Sequence, residues 1–119
     1  MVCLLDDDPS VLKSLGRLLS SANLQAKPFS DPVEFLRYAR THRPTVALVD
    51  VCMPQMSGLE VQSQLCKISP STRVIVFTGN PDARIRSTAL NAGASAFLTK
   101  PFGDEELLTV VRLALGSTN

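Results

Sequence analysis

Three carboxylates, a hydroxyl and an amine stand at the ends of apolar runs in this chain. Asp6 and Asp7 follow residues 1–5, Asp50 follows Val46-Ala47-Leu48-Val49, Thr78 follows 73–77, and Lys100 follows 94–99. Acids brought to one rim repel each other unless a cation joins them. An incomplete set of hard oxygen ligands suits Mg²⁺, which keeps waters and binds beside phosphate. The Lys100 amine and the Thr78 hydroxyl are donors for an anion next to that metal. Metal, anion donors and one protruding carboxylate together describe a phosphoryl-acceptor site with Asp50 as its nucleophile.

These groups meet only if the apolar runs are parallel strands that end on one rim. Residues 46–49 have the length and β-branching of a buried strand, β3, with Asp50 where it leaves the sheet. Met53-Pro54 blocks an immediate helix, and Ser57 with Glu60 forms a capping-box pattern for helix α3, about 57–68, through Leu59, Val61 and Leu65. Before it come strand β1 over 1–5 and helix α1 over 9–22, with Asp8 as N-cap, Pro9 at its first position, and Val11, Leu12, Leu15, Leu18 and Leu19 at helical spacing. Strand β2 covers 23–29, and Pro28 within it indicates a sheet edge. Asp31-Pro32-Val33-Glu34 starts helix α2, with Val33, Phe35, Leu36 and Ala39 expected to face inward. Strand β4 covers 73–77; Asn80-Pro81 is expected to cap helix α4, which Gly93 closes. Strand β5 covers 94–99, and Gly103-Asp104-Glu105-Glu106 opens helix α5, with Leu107, Val110, Val111 and Ala114 as its buried face. Five strands alternating with five helices make an α/β domain with a parallel sheet, and ligands bind such sheets at the strand ends.

Composition narrows the function classes. The 119 residues make one domain; 45% are apolar and 19% charged, as in an ordinary globular protein. A net charge of +1 without a Lys/Arg-rich run gives no electrostatic case for nucleic acid. No stretch is long enough to span a bilayer, and the start lacks a signal-peptide pattern. Cys3, Cys52 and Cys66 are spaced neither as disulfides nor as a zinc set; Cys3 and Cys66 read as plain core residues and a reducing cytoplasm as the compartment. His42 suits the dipole at the end of α2 and is given no role as ligand or base.

The chain resembles the response-regulator receiver domains of two-component signalling over essentially all of residues 1–119. The motifs that carry the resemblance are Asp6-Asp7, Asp50, Thr78 and Lys100-Pro101, with Met53-Pro54-Gln55-Met56-Ser57-Gly58 similar to the branch with LuxR-type DNA-binding outputs. The resemblance implies a flavodoxin-like (βα)₅ three-layer sandwich with strand order 2-1-3-4-5. It implies that Asp50 is the phosphorylated aspartate, that Asp7 is the direct Mg²⁺ ligand with Asp6 in a supporting shell, and that the Cys52 backbone carbonyl completes the protein's ligands. Thr78 and Phe97 match the switch positions, Lys100 the lysine that pairs with the phosphoryl group, and the Lys100–Pro101 bond a position that is typically cis.

The function so implied is a phosphorylation-activated switch whose partner is a histidine kinase or histidine phosphotransfer protein. Its face formed by α4, β5 and α5 controls an output, most naturally transcription, and dimerises when phosphorylated. DNA would be reached only through an output domain absent from this chain; the alternative is a stand-alone receiver or phosphorelay intermediate acting through protein contacts. No membrane association is expected. The chain is not a turnover enzyme, since it catalyses only its own phosphorylation and dephosphorylation. A flavodoxin-type binder needs a Gly-, Ser- or Thr-rich phosphate loop where this chain has Asp6-Asp7-Asp8-Pro9, which repels a bare phosphate. A phosphatase or mutase of the aspartyl-phosphate type commonly has a second carboxylate where Cys52 stands. A receiver that has lost phosphorylation is disfavoured by the intact set Asp7, Asp50, Thr78 and Lys100.

Overall fold

Successive residues of the apolar runs are buried on opposite faces, as the two-residue period of an extended chain requires. Val2, Leu4, Val46, Leu48, Ile75 and Phe77 pack to one side; Cys3, Leu5, Ala47, Val49, Val74 and Val76 pack to the other. Runs apolar on both faces need cover on both, and that forces a three-layer arrangement. The computed structural model describes residues 1–80 and 82–116. Its elements are β1 (Val2–Leu5), α1 (Pro9–Ser21), β2 (Ala26–Phe29), α2 (Pro32–His42), β3 (Val46–Asp50), α3 (Gly58–Ile68), β4 (Arg73–Thr78), α4 (Ala83–Asn91), β5 (Ala96–Thr99) and α5 (Asp104–Ala114).

The sheet is parallel throughout, in the order β2-β1-β3-β4-β5, which is the flavodoxin-like topology. Pro28 does lie on an edge strand. Leu15 and Leu19 of α1 cover one face with Leu107, Val111 and Ala114 of α5. Phe35, Leu36 and Ala39 of α2, Val61 and Leu65 of α3, and Ala89 of α4 cover the other. Among the described residues no helix is long and apolar enough to cross a membrane.

The helix starts follow their caps. Asp8 accepts from Ser10 N–H at 2.9 Å and Asp31 from Val33 N–H at 2.9 Å, each just before a proline. Ser57 accepts from Leu59 N–H at 3.1 Å while Glu60 accepts from Ser57 N–H at 3.3 Å, so the capping box is formed.

Six expectations need correcting. Helix α4 is capped by Asp82, not Asn80: the Asp82 carboxylate accepts from Arg84 N–H at 2.8 Å, and the Asn80 side chain is already taken by Asp82 N–H at 3.2 Å. Pro81 lies outside the described residues, as do Ser117, Thr118 and Asn119. Val33 is exposed, because Pro32, Phe35, Leu36 and Ala39 complete the buried stripe of α2 without it. Cys66 is exposed as well, one step round the helix from the stripe of Gly58, Val61, Gln62 and Leu65. Val110 is only half-buried beside Leu107 and Val111. Strands β2 and β5 also begin later than expected: β2 starts at Ala26, after a turn in which Asn23 has φ 62°, and β5 starts at Ala96.

Candidate functional site

Backbone pairing continues one residue past three of the strands and fixes the rim. Asp6 N–H donates to the Phe29 carbonyl at 3.2 Å, Val51 N–H to Phe77 at 3.0 Å, and Lys100 N–H to Thr78 at 2.8 Å. The chain therefore leaves the sheet at Asp6, Asp50, Thr78 and Lys100 with its backbone still registered. Beyond Asp50 the loop is pinned by Val51 and Met53, both buried in the core. Its return into α3 passes against Asp50 itself: Gly58 N–H donates to the Val51 carbonyl at 2.9 Å. A Cβ on Gly58 would collide with the Asp50 carbonyl group and the Val51 Cα. Gly58, read from the sequence only as the last residue of the Met53–Gly58 motif, is thus a site-shaping residue; the signal was a poor helix former just after the Ser57 cap.

Four of the five polar groups meet through their side chains, while Thr78 is joined to Lys100 through the backbone, its carbonyl accepting from Lys100 N–H. Oxygens of Asp6, Asp7 and Asp50 lie within 4.8 Å of one another. Lys100 Nζ lies 3.3 Å from Asp6 Oδ2 and 3.7 Å from Asp50 Oδ1, and 4.9 Å from the centroid of the Phe77 ring, which sequence reasoning had not brought to the site. Asp6 and Asp50 are buried and Asp7 is exposed. The other Asp6 oxygen accepts from Asp8 N–H at 2.9 Å. Burial, reinforced by the negative charge of Asp6, pushes the Asp50 carboxyl up to about 6; Lys100 and a hydrogen bond from Cys52 N–H oppose the rise. Burial also raises Asp6, against the pull of the Asp8 N–H and Lys100.

Two buried acids and a third alongside, with one lysine among them, leave negative charge uncompensated. Three hard oxygens in that state fit a divalent cation of the Mg²⁺ type, which needs few protein ligands because it retains water.

Thr78 is fully buried, and its hydroxyl accepts from Asn80 N–H at 3.1 Å. The exposed Cys52 puts its Sγ 3.7 Å from the same oxygen. Phe97 is half-buried in β5, on the face covered by α2, α3 and α4. The Lys100–Pro101 bond is cis, as the resemblance implied. Asp8 serves as a cap, and His42 stacks on Tyr38 at 4.0 Å with its Nδ1 3.2 Å from the Tyr38 carbonyl; neither joins the site.

Known proteins share this fold. The chain is 39% identical over 115 residues to the response regulator protein TodT of Pseudomonas putida, matching 97% of this chain and 51% of TodT. It thus spans about half the length of the curated relatives it matches. The response regulator receiver protein from Burkholderia phymatum superposes with a TM-score of 0.86 at 38% identity, covering 98% of this chain and 95% of that one. The BeF₃-activated receiver domain of DrrB, a Thermotoga maritima protein, superposes with a TM-score of 0.86 at 30% identity, covering 97% and 96%. The family description "Response regulator receiver domain" fits residues 2–112. That span takes in every strand, the acid cluster and the lysine beside it, and on sequence and fold together the chain belongs to the response-regulator receiver family.

Proposed function

We propose that residues 1–119 form a phosphorylation-activated switch whose acceptor is Asp50 and whose donor is the phosphohistidine of a histidine kinase or histidine phosphotransfer protein. The observation that carries this reading is the meeting of Asp50 with two further acids and Lys100 at one rim. In the transfer an Asp50 oxygen attacks phosphorus, a P–O bond forms as the donor's P–N bond breaks, and the electron pair leaves on the imidazole nitrogen. Burial and the Cys52 N–H hold the carboxylate in one place for that attack. Asp7, Asp50 and the Cys52 backbone carbonyl would hold Mg²⁺, which would supply positive charge for the phosphoryl oxygens. Asp6, already engaged by Lys100 and Asp8 N–H, would support the metal through its water and not as a direct ligand. Lys100 lies close enough to Asp50 to turn its ammonium to the incoming phosphoryl group. A groove of about 770 Å³ runs from Lys100 and Phe102 along Val11, Ser14 and Leu18 of α1, and gives a protein donor an approach.

Thr78 then trades its Asn80 contact for a phosphoryl oxygen, and Phe97 moves inward to fill the space left. Phenylalanine has no hydroxyl, so packing alone sets its two orientations. The changed α4–β5–α5 face leads to self-association or contact with an output, most naturally transcription by a longer protein in which this domain sits in the cytoplasm. The chain modifies itself and is not a turnover enzyme. The test is a small phosphodonor, acetyl phosphate with Mg²⁺: wild type should gain one phosphoryl group by mass and Asp50→Asn none. Full labelling of that variant overturns the assignment.

A further inference from the structure

Helix α4 is held at one end. Of its nine residues only Ala89 is buried and Ile85 half-buried; the others face solvent. Its C-terminal end closes as a Schellman turn. Gly93, at φ 101°, donates its N–H to the Leu90 carbonyl at 3.0 Å, and Ala94 donates to Ala89 at 3.0 Å. The Ala89 carbonyl takes a second donor from another helix, Gln62 Nε2 of α3 at 2.9 Å. One turn along α3, the Cys66 Sγ lies 3.9 Å from the Ala92 carbonyl.

Gln62 is 1% exposed and flanked on α3 by buried Val61 and Leu65. Its amide has one tenable orientation, since turning it over would set two carbonyl oxygens against each other. Its Oε1 is then buried without a hydrogen-bond partner. An apolar side chain of the same shape would avoid that cost, so what glutamine contributes here is its donor.

The other end of α4 hangs on short local bonds. Asn80 N–H donates to Thr78 Oγ1 at 3.1 Å, Asp82 N–H to Asn80 Oδ1 at 3.2 Å, and Arg84 N–H to Asp82 Oδ1 at 2.8 Å. This relay runs from the Thr78 hydroxyl to the first turn of the helix, and its last two links are exposed.

We infer that α4 pivots about the Gln62–Ala89 contact. Its C-terminal end stays on α3 while its N-terminal half swings whenever the Thr78 hydroxyl changes partner. The trigger, though not the hinge, rests on the reading of Asp50 as phosphoryl acceptor. Gln62 is a positioning residue, and what it positions is the fixed end of a lever.

Residue-resolved backbone hydrogen exchange on the whole chain tests both parts. Gln62→Met keeps the length and removes the donor. It should speed exchange at Gly93 and Ala94 by roughly fivefold to tenfold, the size of one net intramolecular hydrogen bond, with β3 and β4 unchanged. A filler role predicts the opposite, because methionine relieves the unpaired oxygen and should slow exchange throughout. Gln62→Glu, which replaces the donor by an acceptor, serves as a second variant and should loosen the same two positions. If Gly93 and Ala94 keep their protection in both variants, the pivot is overturned. Addition of BeF₃⁻ with Mg²⁺ should then change exchange in wild type at Gly79, Asn80 and 82–87 but not at 92–94, and the change should spread to 92–94 in Gln62→Met. An equal response along the whole helix in wild type also overturns the pivot. No response anywhere in wild type overturns Asp50 as the trigger, and the hinge is then decided by the variants alone.

Discussion

Replacing Asp50 by asparagine should make the metal-free protein more stable at neutral pH. The carboxyl is 4% exposed, and burial first, then the charge of Asp6, carries it from 3.8 to about 6. Between those values the unfolded chain releases the proton and the folded chain keeps it. Stability therefore falls as pH rises from about 4 to about 6, and the loss is complete above that. A rise of this size corresponds to about 3 kcal/mol at neutral pH. Asparagine keeps the shape and an oxygen for the Cys52 N–H, but gives up the Lys100 contact at 3.7 Å. The value of about 6 already contains the Lys100 attraction, and Lys100 retains Asp6 at 3.3 Å, so the expected net gain stays at about 3 kcal/mol. For a domain of this size the melting temperature should rise by roughly 9–15 °C. The chain has no Trp and one Tyr, so unfolding in urea with EDTA is best followed by far-ultraviolet circular dichroism. The gain should be full at pH 7.5 and should shrink towards pH 4, where wild-type Asp50 is itself protonated. A variant no more stable than wild type at pH 7.5, or an advantage equally large at pH 4, would refute the reasoning.

Four further outcomes are expected. Gly58→Ala should lose about 2–4 kcal/mol in urea unfolding, because the new methyl meets backbone of Asp50 and Val51 that cannot retreat; an unchanged midpoint would mean that the loop gives way freely. Asp7→Ala should weaken Mg²⁺ binding far more than Asp8→Ala, whose cap is worth about 1 kcal/mol of stability; equal loss in a metal titration of the two would overturn the ligand assignment. Thr78→Ala should leave Asp50 modifiable but remove the effect of phosphorylation on self-association in sedimentation, and a full wild-type response in that variant would rule out coupling through Thr78. Burial pushes the Cys3 thiol up to about 11 from 9.0, so the unfolded chain ionises first and stability falls between those pH values. Cys3→Val should therefore lose less stability than wild type over that alkaline range, and parallel curves would count against the shift.

Much of the fold was legible because the central strands β1, β3 and β4 are apolar on both faces and each of the first three helices opens on a side-chain cap. Asp8-Pro9, Asp31-Pro32 and Ser57 with Glu60 are local signals, read within a few residues, and all three caps form where expected. The misreading at α4 came from the same rule: Asn80 and Asp82 are both good caps two residues apart, and what separates them is that Thr78 draws the Asn80 N–H into the strand end. Val33 and Cys66 were misjudged because apolar character was read without the neighbouring stripe. Once Pro32 and Leu65 fill the buried positions, the next residue round each helix is outside. Gln62 went unnoticed for the opposite reason, a polar residue buried by a partner 27 positions away.

The composition of the site was legible, but its pairing was not. Strand ends announce which side chains reach the rim, yet nothing in the spacing says that Lys100 lies nearer to Asp6 than to Asp50. That choice depends on burial. Asp6 has one oxygen held by the Asp8 N–H and turns the other to the ammonium, so the lysine settles between two buried carboxylates and neutralises neither completely. Asp50 is left raised towards neutrality, pressed by Asp6, and within reach of the same ammonium. A carboxylate in that position is destabilised as an anion in the metal-free fold, and any cation that joins the three acids relieves the strain it causes. The instability measured through Asp50→Asn and the affinity measured through Asp7→Ala are therefore two readings of one charge imbalance. Mg²⁺ should stabilise wild type against urea and stabilise the Asp50→Asn variant by less. If both gain equally, the cation is not bound where the three acids meet.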